Sequence, residues 1–512
     1  MMNDTTDTEA PVLRGLPSHL TVTGLVGSGA QKSVYRAFDR NRGEEIAVIC
    51  LERRANPRGD VARVEELQAF ARIQSHPHVL DLLEVIELDE RLIVCVPYMS
   101  RGDLSRRIAD VDRSPIPIRE ALRIGVQLAD AIGHVHRHGF IHGDIKAENV
   151  LLADDGTIRL DDFGLVHLGT VPATAKLSGT LTYVAPERIR GEQADARSDL
   201  YSFGCLLYEL FSGRAPLSGS TPAELLNLHL MARPRELQSR RREVPSGVSQ
   251  LVDRMLEKQP GSRPQSALEV HGALSAALRA EAFLAIDAAR SVDLPSRMDG
   301  EARLDRIVRG AREGRAAIVL VTGELGSGKS EALRRLGRRA LESGFGVSVG
   351  IAHAESAVPY SPMIEALTGV AGELTDLETG QADRLLDFLY LKGPQRPREG
   401  ADHGVTQDRL FASVLAALNA ASQRRPLLLI LEDLDNADEA TLELLTYLEY
   451  AISARGPMRG LDLLIAASCR ADAIPKGVDE MIRRGGVDSV VDYIELEPLE
   501  GRDLVRLVET HG

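Results

Sequence analysis

The sequence contains no tryptophan, and aromatics reach only 4% of its 512 residues. Its cores must therefore be built from aliphatic side chains. The four cysteines, Cys50, Cys95, Cys205 and Cys469, lie far apart, and no two share a metal-ligand spacing. That excludes a secreted disulfide framework and argues against structural zinc. Base is short relative to acid: 61 Lys and Arg stand against 75 Asp and Glu, a net charge of −14. Such a chain is a poor general nucleic-acid binder, because phosphates are repelled outside a local basic patch, and no nucleic-acid partner is expected. No apolar run approaches the ~18 residues needed to cross a bilayer. The longest, such as residues 427–431, have the length of core strands. The start, Met1-Met2-Asn3-Asp4, lacks the basic-then-apolar order of a signal peptide. A cytoplasmic location with no membrane partner is expected. Glycine (45) and proline (24) are too few for a collagen-like or wholly disordered chain.

What is present reads as several lobes, about three by length. Residues 1–19 begin Asp/Thr-rich and are expected to be disordered. Short β-branched runs follow at 20–26, 46–51 and 92–96, with one helical stretch at 61–73. Helical periodicity dominates from about 119 to 210, so a sheet-rich lobe precedes a helix-rich one. Thr221-Pro222-Ala223-Glu224 is a capping box and starts a helix. Residues 279–300 read as a linker. Beyond it, strand-like runs at 317–322, 427–431 and 463–467 alternate with helical segments, the pattern of a parallel α/β sheet.

Two sets of motifs carry chemistry. The first opens with Val26-Gly27-Ser28-Gly29-Ala30-Gln31-Lys32-Ser33-Val34, a Gly-rich hairpin whose N–H groups could approach phosphates. Alone it is a weak signal. His142-Gly143-Asp144-Ile145-Lys146-Ala147-Glu148-Asn149, Asp162-Phe163-Gly164 and Ala185-Pro186-Glu187 then follow in order. Over residues 20–278 the sequence resembles the eukaryotic-type serine/threonine protein kinases. The resemblance implies a bilobal α+β fold and a reaction that moves the γ-phosphate of ATP to protein Ser/Thr hydroxyls. It implies Asp144 as the base, Lys146 beside the phosphate, and Asn149 and Asp162 as Mg²⁺ ligands. Thr180 would bond the catalytic Asp and Lys. Gly27, Gly29, Val34, Ala47, Pro97 and Met99 would line the nucleotide, the last two in a hinge at 94–99. Asp199 and Arg263 fall where the family braces its large lobe.

Two departures stand out. The strand Ile46-Ala47-Val48-Ile49 puts Ile49 where the family has its phosphate-binding lysine, while Lys32 replaces the third glycine of the hairpin. That pairing resembles the with-no-lysine kinases, and implies that Lys32 enters the cleft and pairs with Glu66. The alternatives are a solvated hairpin charge at Lys32 and a pseudokinase scaffold whose only active nucleotide site lies further on. Gly143 stands where regulated relatives carry Arg, so phosphate at Thr170, Thr174 or Ser178 lacks its usual docking charge. Two bland features are set aside. His134 and His138 share a helical face but His136 does not, which falls short of zinc, and the arginines of 233–242 read as a solvated loop.

The second set is a complete strand–loop–helix signature. An apolar strand runs into Gly323-Glu324-Leu325-Gly326-Ser327-Gly328-Lys329-Ser330. In such a P-loop the N–H groups wrap phosphates, the Lys meets the β/γ-phosphates and the Ser ligates Mg²⁺. The strand ending in Glu432-Asp433 adds the two acids that hold the ion and orient water. Residues 301–512 resemble the AAA-related signal-transduction NTPases with numerous domains. The resemblance implies an α/β fold and a sensor at Ser468-Cys469-Arg470; the alternative for Arg470 is a strand-end surface charge. Glu432 replaces an Asp, which bears on hydrolysis rate more than on binding. The lid, winged helix and repeats of such relatives are not visible before Gly512, so the sensor arm is absent or the chain is partial. The whole resembles bacterial kinase–NTPase fusions, with ATP and Mg²⁺ as cofactors and with ATP-driven self-association through the second half.

Overall fold

A computed structural model describes residues 15–28, 32–52, 76–88, 91–110, 115–161, 167–168, 181–285, 298–313, 315, 317–354, 358–369, 403–453, 461–484, 490–498 and 501. The chain forms two compact units. One comprises Met1–Ile116, Ile124–Pro234 and Met255–Ala267; the other comprises Pro117–Arg123, Arg235–Arg254 and Leu268–Gly512.

The first unit opens with an antiparallel sheet of β1 (Leu20–Ser28), β2 (Lys32–Asp39), β3 (Glu44–Glu52), β4 (Glu84–Leu88) and β5 (Arg91–Pro97), in the order β1-β2-β3-β5-β4. Alternation decides its faces. Leu20, Tyr35, Ala37, Ile46, Val48, Cys50, Ile93 and Cys95 form one buried cluster. The intervening positions 34, 47, 49, 94 and 96 share the opposite face, since Val34 pairs with Ile49 and Ile49 with Val94. Helical structure follows, with the long α1 (Ile118–Arg137, in this unit from Ile124) and two short antiparallel pairs, β6 (Phe140–Ile141) with β9 (His167–Leu168) and β7 (Val150–Leu152) with β8 (Ile158–Leu160). The helix α2 (Ala196–Ser212) is the core of this part. Asp195 caps its start, and Leu200, Phe203, Leu206, Leu207, Leu210 and Phe211 are buried along it. Each such side chain contributes roughly 1.5–3 kcal/mol. Thr221 caps α3 (Pro222–Met231) by accepting the Glu224 N–H. The Glu224 carboxylate reaches back to Ser220 N and Oγ rather than to Thr221 N, so the expected box closes one residue early.

The second unit holds a five-stranded parallel sheet: β10 (Ala317–Gly323), β11 (Gly346–Ile351), β12 (Leu427–Glu432), β13 (Leu463–Arg470) and β14 (Val491–Leu496), in the order β11-β12-β13-β10-β14. Its strands read as near-continuous apolar runs because both faces are covered. On one face Ile318, Leu320, Leu429, Leu431, Ile465 and Ala467 join a cluster with residues of the covering helices, among them Met363, Val414, Leu444 and Met481. On the other, Val319, Val321, Leu428, Ile430, Leu464 and Ala466 pack with Phe283, Leu284, Leu304, Val308, Leu333 and Leu336.

Among the described residues the longer helices of this unit are α4 (Ser246–Met255, in this unit to Arg254), α5 (Ala267–Ala285, in this unit from Leu268), α6 (Met298–Arg312), α7 (Lys329–Glu342), α8 (Ser361–Thr368), α9 (His403–Ser422), α10 (Glu439–Ile452) and α11 (Lys476–Arg484). The stretch expected as a linker opens inside a helix. The 278/279 boundary falls inside α5, and Ala280, Phe283 and Leu284 are buried core residues of the parallel-sheet unit. An amphipathic helix that finds an apolar cradle does not end where its sequence turns Ala-rich.

Candidate functional sites

The turn after β6 brings Asp144, Lys146 and Asn149 together. Lys146 Nζ donates to Asp144 Oδ2 at 2.5 Å, and Asn149 Nδ2 donates to Asp144 O at 2.8 Å and to Oδ2 at 3.1 Å. Both of Asn149's bonds use its N–H groups, which leaves its carbonyl oxygen as the end offered to a cation. The loop hangs from Asp199 on α2, which accepts from His142 N and Gly143 N, both at 2.8 Å, and meets His136 Nε2 at 2.9 Å. Burial would raise the Asp199 pKa; these donors and the neighbouring imidazoles outweigh it and hold the carboxyl below its ordinary value. Asp161 N donates to Asn149 O at 2.8 Å, and Asp161 O meets His142 Nε2 at 3.1 Å, so Asp161 is tied to the same loop. Behind it Arg263, fully buried, grips Glu187 through two 2.8 Å bonds, with Ser198 Oγ at 2.6 Å. Burial opposes the Glu187 charge, but Arg263 holds its pKa below the usual value.

In the second unit β10 runs into the loop 323–328 and α7. A Cβ on Gly323 would meet Ser327 Oγ at 2.4 Å and Leu496 O at 2.7 Å, so the loop closes only with glycine there. Lys329 is buried, its Nζ donating to Gly323 O at 3.0 Å and Glu324 O at 2.9 Å. Glu432 ends β12, buried, and its Oε1 has no hydrogen-bond partner. Burial first, and then repulsion from Asp433, push its pKa up, against the Ser330 hydroxyl and Arg334. An unpartnered buried carboxylate oxygen beside a hydroxyl fits a hard divalent cation such as Mg²⁺. Asp433 has a left-handed φ of 56°, and burial and Asp435 raise its pKa. Its N–H donates to the buried Ser468 Oγ at 3.1 Å.

Comparison with known proteins decides the family. Residues 20–273 match the protein kinase domain family and residues 293–455 the AAA ATPase domain family. The chain carries a protein kinase domain followed by an AAA ATPase domain. Its relatives include a probable serine/threonine-protein kinase of Clostridium perfringens, 29% identical over 254 residues (49% of this chain, 37% of that protein). A probable serine/threonine-protein kinase of Streptomyces coelicolor is 33% identical over 270 residues (50% of this chain, 39% of that protein). The DNA damage-responsive serine/threonine-protein kinase of Deinococcus radiodurans is 33% identical over 261 residues (49% and 38%). The chain thus spans less than two fifths of the length of these three curated relatives. No helix among the described residues is long and apolar enough to cross a membrane.

The kinase cleft is partly described. Gly29, Glu66, Asp162 and Thr180 lie outside the described residues, as do the stretch 61–73 and Thr170, Thr174 and Ser178. Position 32 pairs with Leu51 and position 34 with Ile49, so Lys32 falls on the same sheet face as Ile49, two residues outward. Gly27 pairs with Val34 beside a bulge, Ala47 is buried between Arg36 and Val96, Pro97 ends β5, and buried Met99 accepts the Gly102 N–H at 3.2 Å. The histidine tract divides as helical spacing requires: His134 and His138 lie 4.4 Å apart by ring centroid, and His136 turns to Asp199.

In the ATPase domain Arg470 is half-exposed and its Nε meets Asp435 at 3.2 Å and Asp472 at 3.5 Å. Nearby, Ser468 Oγ accepts the Asp433 N–H. Its signal was a polar side chain inside an otherwise apolar central strand. Arg188, which reaches Gly143 O, has no motif to announce it.

Proposed function

We propose that the protein is a serine/threonine protein kinase that transfers the γ-phosphate of ATP to hydroxyls of protein substrates and is coupled to an ATP-binding NTPase switch in bacterial signal transduction. The observation that carries it is the Asp144–Lys146–Asn149 cluster hung from buried Asp199. Asp144 accepts the proton of the attacking hydroxyl, and Lys146 stands beside it to neutralise the moving phosphoryl group. Asn149 and Asp162 would hold Mg²⁺, which supplies charge neutralisation between phosphates. Lys32 substitutes for the lysine that Ile49 replaces and pairs with Glu66. The shared face of positions 32 and 49 supports that reading, since diagonal neighbours on adjacent strands lie about 7–8 Å apart, within reach of a lysine stem. Gly27, Gly29, Val34, Ala47, Pro97 and Met99 line the nucleotide, and Thr180 bonds the catalytic pair.

In the second half Gly323, Gly328 and Lys329 bind ATP phosphates. Ser330 and Glu432 would hold the second Mg²⁺, Asp433 orients water, and Arg470 senses the γ-phosphate once freed from Asp435. We place the kinase at 20–278 and the NTPase at 301–512, with α5 shared. A cytoplasmic setting accords with four free, buried cysteines. ATP occupancy shifts the chain toward self-association, a reading that rests on the AAA-type domain. The test is transfer of radiolabelled phosphate to a generic protein substrate by the full chain, with and without Mg²⁺, alongside sedimentation in ADP, ATP and a non-hydrolysable analogue. Transfer above an Asp144→Asn control supports the kinase; its absence leaves the P-loop as the only active site. Identical sedimentation in all three nucleotides removes the assembly switch.

A further inference from the structure

Gly143 has a φ of 79°, in the left-handed region where a side chain is strained. The loop therefore turns on glycine and carries no cation of its own at that position. One arrives from elsewhere. Arg188, in the short helix Pro186–Arg190, donates Nη1 to the Gly143 carbonyl at 2.5 Å. That carbonyl belongs to the peptide whose other end is the Asp144 N–H, which donates to His142 Nδ1 at 3.3 Å. The preceding peptide is held through Gly143 N on Asp199. Every polar atom of the two peptides flanking Gly143 for which a bond is described here is thus tied, and the guanidinium bond is charge-assisted, about twice as strong as a neutral one.

The platform under Arg188 is equally fixed. Its neighbour Glu187 is locked by Arg263 and Ser198, and the helix is stopped by left-handed Gly191. A half-buried arginine on a hydrogen-bonded helix turn, aimed at the peptide that carries the base, has the form of a clamp.

We propose that Arg188 is a positioning residue for Asp144: it fixes the 143–144 peptide and so aims the carboxylate, from outside a loop that turns on glycine. The role rests on the kinase reading. The experiment compares the full-length protein with Arg188→Met and Arg188→Lys by phosphoryl-transfer kinetics and by hydrogen exchange of residues 142–149. The expected result for Met is a kcat about 10- to 100-fold lower with KM for ATP little changed, as misplacement of a reacting group by about 1 Å produces. Exchange over 142–149 should rise, Lys should recover part of kcat, and exchange elsewhere should stay as in the parent. Unchanged kcat with an active parent overturns the proposal, as does a loss that Lys does not relieve and that tracks a general fall in melting temperature. If the parent itself transfers nothing, the kinase reading fails separately. The clamp is then judged by exchange alone, and unchanged protection of 142–149 overturns it.

Discussion

The catalytic loop of the kinase domain and the floor of the P-loop contain the same groups, a lysine and acids, in opposite states of compensation. In the first, Asp144 already has Lys146 at 2.5 Å and Asn149 at 3.1 Å. In the second, Lys329 is spent on its own loop's carbonyls, while Glu432 Oε1 lies buried without a partner. A loop that balances its own charge is stable before its ligand arrives. A buried carboxylate oxygen without a partner instead carries a cost that a cation removes, so ligand binding there is also folding energy.

The contrast can be broken by substitution. Asp144→Asn should lower phosphoryl transfer by about 10²–10⁴-fold, as loss of a general base does, and lower the melting temperature slightly because Lys146 loses its charge partner. Lys32→Met should likewise reach background, with Ile49→Lys alone giving little gain; near-normal transfer by Lys32→Met removes the substitute-lysine idea. Arg263→Ala should cost about 3–5 kcal/mol, since it leaves Glu187 buried and unpaired; denaturant titration of the full chain measures it. Acid sharpens the same distinction. His229 is buried against Tyr201 Oη at 2.9 Å, and burial, helped by Lys258, depresses its pKa to about 4. An unfolded histidine takes its proton near pH 6.5, so stability of the kinase unit should be complete above about 6.5 and fall toward pH 4, by about 3 kcal/mol. A flat profile between those limits contradicts the burial.

The two P-loop changes should differ from each other in sign. Lys329→Ala should weaken ATP at that site by about 100-fold, the loss of a charged hydrogen bond of up to 3 kcal/mol, read by isothermal titration of the Asp144→Asn protein. Glu432→Gln has the smallest effect and the most telling direction. It should raise the ligand-free melting temperature by about 2–4 °C, as relief of about 1 kcal/mol does, and abolish the extra stabilisation that Mg²⁺ adds to nucleotide. A drop in ligand-free stability would mean that Glu432 is compensated after all.

Legibility in the sequence followed chain distance. Gly323–Ser330 and the cluster at Asp144–Asn149 are local patterns, so residue type and spacing revealed them before any geometry. The parallel sheet was visible because strands covered on both faces cannot alternate, as in Leu427–Leu431. Contacts between ordinary residues far apart were not visible. Arg188 looks like any helix-end arginine until it meets Gly143, and Ser468, read only as the first residue of the sensor triplet, shows its partner when it accepts the Asp433 N–H. The motif drew attention to Arg470 as a possible sensor, whereas its pairing with Asp435 depends on a turn 35 residues away. The place of Phe283 and Leu284 was hidden for the same reason: they gain their meaning only from Val319, Leu333 and Ile430.

That last feature bears on how the gene can be cut. Gly337 on α7 leaves room for Leu284, whose methyl would sit 2.7 Å from any added Cβ, while Arg338 bonds the Leu284 carbonyl and Arg334 covers the Phe283 ring at 5.4 Å. A fragment begun at residue 301 would leave this socket wet and greasy, and a fragment ended at 278 would discard the plug. Recombination that shuffles such halves as interchangeable cassettes would meet the same penalty, so α5 has to be inherited with the ATPase even though it begins in the kinase.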